Sequence, residues 1–101
     1  MQKLIKVKSI TILGRRWFQK TYGNTYHTAE IFVNGQRVHK TEEQYGYGEQ
    51  YMQTAQEWLE KFGYIPKQKR EGYYEPLFAY RDRGLFELSY SCADVRREKD
   101  L

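Results

Sequence analysis

A chain of 101 residues has room for one hydrophobic core and not for two. Its 17 Lys and Arg against 13 Asp and Glu leave a formal net charge of +4, which tolerates an anionic partner but is far from the charge of a nucleic-acid condenser. The one cysteine excludes an internal disulfide. No window nears the roughly 18 apolar residues of a membrane span, and no basic-then-apolar leader follows Met1, so a reducing cytoplasm is the expected compartment.

From residue 3 to residue 13 apolar and polar side chains alternate, with Ile5 and Val7 against Lys6 and Lys8 until the phase changes at Ser9 and Ile10 and Ile12 take over. A period of two is the repeat of a strand, and the phase change predicts a bulge or a new pairing partner. Arg15-Arg16-Trp17-Phe18 extends it, with Phe18 expected on the core face and Arg15, Trp17 and Lys20 covering the outer one. Tyr22-Gly23-Asn24 then predicts a tight turn, because Gly-Asn accepts positive φ.

Residues 26–33 form the next expected strand, Asn34-Gly35 a type I′ turn and residues 36–41 the returning strand. A two-residue loop sets the register. Val33 should face Gln36, Phe32 Arg37, Ile31 Val38, Glu30 His39 and Ala29 Lys40. Ala29, Ile31, Val33 and Val38 then make the core face, while Phe32 beside Arg37 and Glu30 beside His39 make the outer one.

After the glycine-spaced Tyr45-Gly46-Tyr47-Gly48, residues 49–62 place Tyr51, Ala55, Trp58, Leu59 and Phe62 on one helical face, and Gly63 stands where a left-handed C-cap belongs. Pro66 and the polar residues 67–72 predict a loop. A short helix over residues 76–81, closing near Gly84, and a strand over 85–90 should follow. The expected architecture is α+β, one domain over residues 1–101. It has an antiparallel sheet of three to four strands, one amphipathic helix on one face, a C-terminal unit of short helix and strand, and a flexible charged tail over 95–101.

No nucleophile stands beside a base in this pattern, and no carboxylate pair or metal-ligand spacing is spelled out. In the register above His27 and His39 point to opposite faces and cannot share a metal, and Cys92 has the setting of a small apolar residue. Tyr45-Gly46-Tyr47-Gly48 lacks the Lys-Ser/Thr of a phosphate loop and the spacing of a dinucleotide motif, so it is most simply a strand-to-helix turn. The expectation is a non-enzyme without cofactor or metal.

Ten tyrosines and two tryptophans must instead serve core and surface alike, and such rings make good recognition surfaces. Arg15, Trp17, Lys20, Tyr22, Phe32, Arg37, Tyr45 and Tyr47 are the candidate binding residues, on the outer sheet face and the Tyr-Gly loop. Arg15, Trp17, Lys20 and Tyr22 also interleave cations with rings as a single-stranded nucleic-acid platform does.

Arg16-Trp17-Phe18, Gly23-Asn24-Thr25-Tyr26, Val33-Asn34-Gly35, Tyr45-Gly46-Tyr47-Gly48, Glu57-Trp58-Leu59 and Ala93-Asp94-Val95-Arg96-Arg97 span most of the chain. With these motifs it resembles a family of small uncharacterised proteins encoded by bacteriophages and mobile elements. The resemblance carries no activity and implies a context instead. Small phage proteins without an active site often act by docking on a host protein or nucleoprotein complex, such as a defence system, and disabling it. The expected function is therefore a non-enzymatic binding protein of the host cytoplasm, off the membrane, with direct binding of single-stranded nucleic acid as the alternative.

Overall fold

The computed structural model describes residues 6–66 and 75–101. The expected loop at 67–72, and the first residues of the strand expected from residue 3, lie outside the described residues. The elements are β1 (Ser9–Gln19), β2 (Asn24–Val33), β3 (Gln36–Lys40), β4 (Gln44–Tyr45), α1 (Gln50–Lys61), α2 (Leu77–Asp82) and β5 (Glu87–Val95). The fold is α+β, with strand order β3-β2-β1-β5 and β4 pairing with β2.

Alternation along β1 and β2 sends Ile10, Ile12, Ala29, Ile31 and Val33 to one face, where they meet Tyr51, Met52, Ala55 and Leu59 of α1 and Leu77 and Tyr80 of α2. That face is the core. The helix follows its expected boundaries, with Gly63 at φ 78° beyond its end. Its buried stripe includes Gln56 and Glu60, whereas Phe62 is exposed, so the stripe is rotated slightly from the expected face.

β5 pairs parallel to β1, from Ser9 opposite Glu87 to Trp17 opposite Val95, so the sheet is mixed where an antiparallel one was expected. The cause is the connection. Between β3 and β5 the chain passes through the helical layer, and a crossover over a sheet face returns a strand parallel to its neighbour. β5 is also longer than expected and takes in Val95, after which Glu98–Asp100 form a 3-10 turn and the Leu101 carbonyl accepts from Lys40 Nζ at 2.8 Å. The terminal segment thus spans from β5 to β3 rather than leading away from the sheet.

One turn and one register differ from expectation. β1 and β2 are joined by four residues, with Gly23 at φ 70° donating its N–H to the Gln19 carbonyl at 2.8 Å. Asn34 and Gly35 make the expected two-residue turn at φ 52° and 82°, and Val33 and Phe32 face Gln36 and Arg37 as read. A bulge at Val38 then shifts the register, so that Ile31 faces His39 and Glu30 faces Lys40. His39 moves to the helix face and stacks on Trp58 at 4.6 Å. Glu30 on the outer face is released to pair with Arg15 at 3.7 Å and Arg37 at 3.4 Å. His27 and His39 therefore share a face, contrary to the unbulged register.

The hairpin turn has a second role. Asn34 Oδ1 accepts from the N–H groups of Lys8 and Ser9 at 2.7 and 3.2 Å, and its Nδ2 donates to the Lys6 carbonyl at 2.8 Å. The residue that permits the turn also clamps the chain entering β1.

Candidate protein-docking site

Rings collect where the sheet outruns the helical layer. Tyr51, in the first turn of α1, lies against Gly14, and β1 continues beyond that point to Gln19 with, among the described residues, no helix over it. Phe18 is on the helix side of the sheet as expected, but it is 54 % exposed and not in the core. The reason is tertiary, since the start of α1 decides how much of β1 is covered.

On the outer face the register sets Trp17 opposite Tyr26 and Tyr26 opposite Tyr45. The three rings form a ladder, with Trp17 and Tyr26 stacked at 6.0 Å and Tyr26 and Tyr45 edge to face at 5.9 Å. Tyr22 stands 75 % exposed in the β1–β2 turn, beside Lys20. On the helix side Phe18 and Tyr47 line a cleft of about 400 Å³, together with Arg16, Thr25, Gly48 and Asp94.

The cleft is built around Arg16. Its Nε donates to Asp94 Oδ1 at 2.8 Å and its Nη1 to the Gly48 carbonyl at 3.0 Å. The Asp94 hydrogen bond raises the guanidinium pKa further, against the opposing effect of burial. Burial pushes up both the Tyr51 phenol and the Cys92 thiol, the nearby Arg16 only partly offsetting it at the cysteine. At Cys92 burial thus outweighs the neighbouring cation and favours the protonated thiol over the reactive thiolate.

His27, buried beneath the Tyr-Gly loop, fixes the loop to the helix. Its Nδ1 meets the Gly46 carbonyl at 3.2 Å and its Nε2 meets Thr54 Oγ1 at 2.7 Å. A carbonyl only accepts, so Nδ1 carries the proton and the Thr54 hydroxyl donates to Nε2. Burial lowers the His27 pKa, favouring this neutral tautomer despite the Gly46 bond. Gly46 itself, at φ 151°, admits no side chain, because a Cβ would fall 2.9 Å from Gln50 Cβ and 3.1 Å from His27 Cε1.

Of the residues expected to bind, Arg15, Trp17, Lys20, Tyr22 and Tyr45 gather at this end, and Tyr47 lies on its helix side. Phe32 and Arg37 occupy the same outer face but near the far end of β2, about 20 Å along the strand from Tyr26. Sequence reasoning missed Arg16, Phe18, Tyr26 and Asp94 as parts of the site. Tyr26 was findable from its alternation with Phe32, whereas the Arg16–Asp94 contact needs the parallel pairing of β5.

Among the described residues no three His, Cys, Asp or Glu side chains come together as metal ligands, and no helix is long and apolar enough to cross a membrane. The fold and site define a mixed-sheet α+β domain with an aromatic end. Comparison with protein-family models, curated proteins and solved structures finds no match.

Proposed function

We propose that the chain is a non-enzymatic binding protein that docks on a protein surface through the aromatic end of the β1–β2 hairpin. The observation that carries this reading is the exposure of Phe18, Tyr22, Tyr45 and Tyr47, between 54 and 75 %, around one end of the sheet. The arginines beside them are already neutralised from within. Arg15 pairs with Glu30, Arg16 with Asp94 and Arg97 with Asp100. Exposed rings beside arginines that are paired within the chain suit a protein interface, whose centre is aromatic and poor in charge. The host-directed part of the reading, a target such as a defence complex, rests on the resemblance to small phage and mobile-element proteins.

The test is capture from bacterial lysate on the immobilised chain, with and without nuclease. The expected result is a nuclease-resistant protein partner that is lost with the double variant Phe18→Ser and Tyr47→Ser. Both side chains are exposed, so the urea midpoint should stay unchanged. Recovery of nucleic acid alone, or oligonucleotide retention that weakens steeply with salt and disappears in Trp17→Ala, would replace this reading with the single-stranded nucleic-acid one.

A further inference from the structure

We propose that the free edge of β5 pairs antiparallel with the same edge of a second copy of this chain, about a twofold axis at Ser91. β5 ends the sheet, and among the described residues it pairs with β1 alone. The Glu87 N–H donates to the Lys8 carbonyl at 2.9 Å, which fixes the phase of the strand. Glu87, Ser89, Ser91, Ala93 and Val95 direct their main-chain groups at β1. Leu88, Tyr90, Cys92 and Asp94 therefore turn theirs to the open edge.

The two edges of the sheet are built differently. β3 has five residues, carries Arg37 and Lys40 and is bent by the bulge at Val38, all of which deter a further strand. β5 has nine residues, and from Leu88 to Ala93 it holds no charge, proline or bulge. Its side chains are half-buried or exposed throughout. Such an edge is a template for one more strand.

The occupant is argued from self-complementarity. A twofold at Ser91 sets Tyr90 opposite Cys92 of the second copy and Leu88 opposite Asp94, all four with edge-directed main-chain groups. These pairs, doubled by the symmetry, give roughly eight inter-chain hydrogen bonds. The only charges in the strand, Glu87 and Asp94, face Val95 and Leu88, so no like charges meet across the axis. Since β5 runs parallel to β1 and ends beside Trp17, the join points the two aromatic ends in opposite directions. The dimer is then a bivalent binder.

Sedimentation equilibrium of the full chain, from micromolar to near-millimolar concentration, is the test. The expected mass at the upper end is twice 12.2 kDa. Ser91→Lys, at an exposed outer-face position, should keep the urea midpoint and abolish the dimer, because the two ammonium groups would meet at the axis. With Cys92→Ala to remove the native thiol, Ser91→Cys should oxidise to a covalent dimer, since a non-hydrogen-bonded antiparallel pair holds its Cα atoms about 4.5 Å apart. Ser89→Cys in the same background should not, its copies lying about 14 Å apart. A monomer at near-millimolar concentration, an unchanged association constant in Ser91→Lys, or equal cross-linking at both positions would overturn the proposal.

Discussion

Replacing Gly14 by Ala probes the contact that decides where α1 starts over the sheet. A Cβ at Gly14 would lie 2.5 Å from Tyr51 Cδ2 and 2.6 Å from Cγ. Ordinary carbon contacts are about 3.5–4.0 Å, so about 1 Å must be found. Tyr51 is only 3 % exposed, in the first turn of α1, so its ring cannot yield without moving the helix. Overpacking of this kind costs about 1–3 kcal/mol, and the flat approach of the ring argues for the upper end. Removing a strand glycine returns about 0.5–1 kcal/mol, leaving a net loss of about 2 kcal/mol. For a domain of this size that is a fall in Tm of about 8–16 °C. Urea titration followed by the fluorescence of Trp17 and Trp58 reads the loss. In a Tyr51→Leu background the cost of Gly14→Ala should shrink by about 1.5 kcal/mol or more. An Ala variant as stable as the parent, or the same cost in both backgrounds, would refute the reasoning.

Asn34→Gly keeps the positive φ of the turn but loses all three contacts to Lys6, Lys8 and Ser9. It should cost about 1–2 kcal/mol and speed amide exchange at Lys8 and Ser9, and an unchanged exchange rate there would deny the clamp. Burial sets the His27 pKa below the ordinary His value of about 6.5, so the unfolded chain takes up a proton that the folded one resists. Its contribution is complete above about pH 6.5 and is lost as pH falls toward the folded value. The urea midpoint should drop between pH 7 and pH 5 by less in His27→Gln than in the parent, and equal drops would count against it. Glu30→Gln with Asp94→Asn releases Arg15, Arg16 and Arg37 from their carboxylates. Salt-sensitive retention of single-stranded oligonucleotide should appear in that variant and not in the parent, whereas equal retention by both would show that the ion pairs mask nothing.

Local signals were enough for α1 and for the Asn34-Gly35 turn. The 3.6-residue period and Gly63 are properties of a short window, and positive φ at two adjacent positions is a demand that few residue pairs meet. The bulge was not legible. Residues 36–40 contain one apolar side chain, Val38, so a slip of one residue changes the hydrophobic pattern very little. Contacts from elsewhere favour the slipped register, for it brings His39 under Trp58 and Glu30 between Arg15 and Arg37 while Val38 still packs on the core. The parallel course of β5 is likewise set by the crossover and not by residues 87–95 themselves.

The same division explains the candidate site. Aromatic content pointed to a recognition surface, but its location depends on the Gly14–Tyr51 contact, which leaves the end of β1 uncovered and turns Phe18 from a core residue into a surface one. A formal charge of +4 tolerates an anionic partner, yet that number says nothing about neighbours. In the fold, Glu30 at 17 % side-chain exposure serves two arginines at once, and Asp94 reaches Arg16 only because β5 lies beside β1. Ion pairs of this kind leave the net charge unchanged and alter where on the surface it is offered to a partner. At the aromatic end Arg16 is tied to Asp94, while Phe18, Tyr22, Tyr45 and Tyr47 stay exposed.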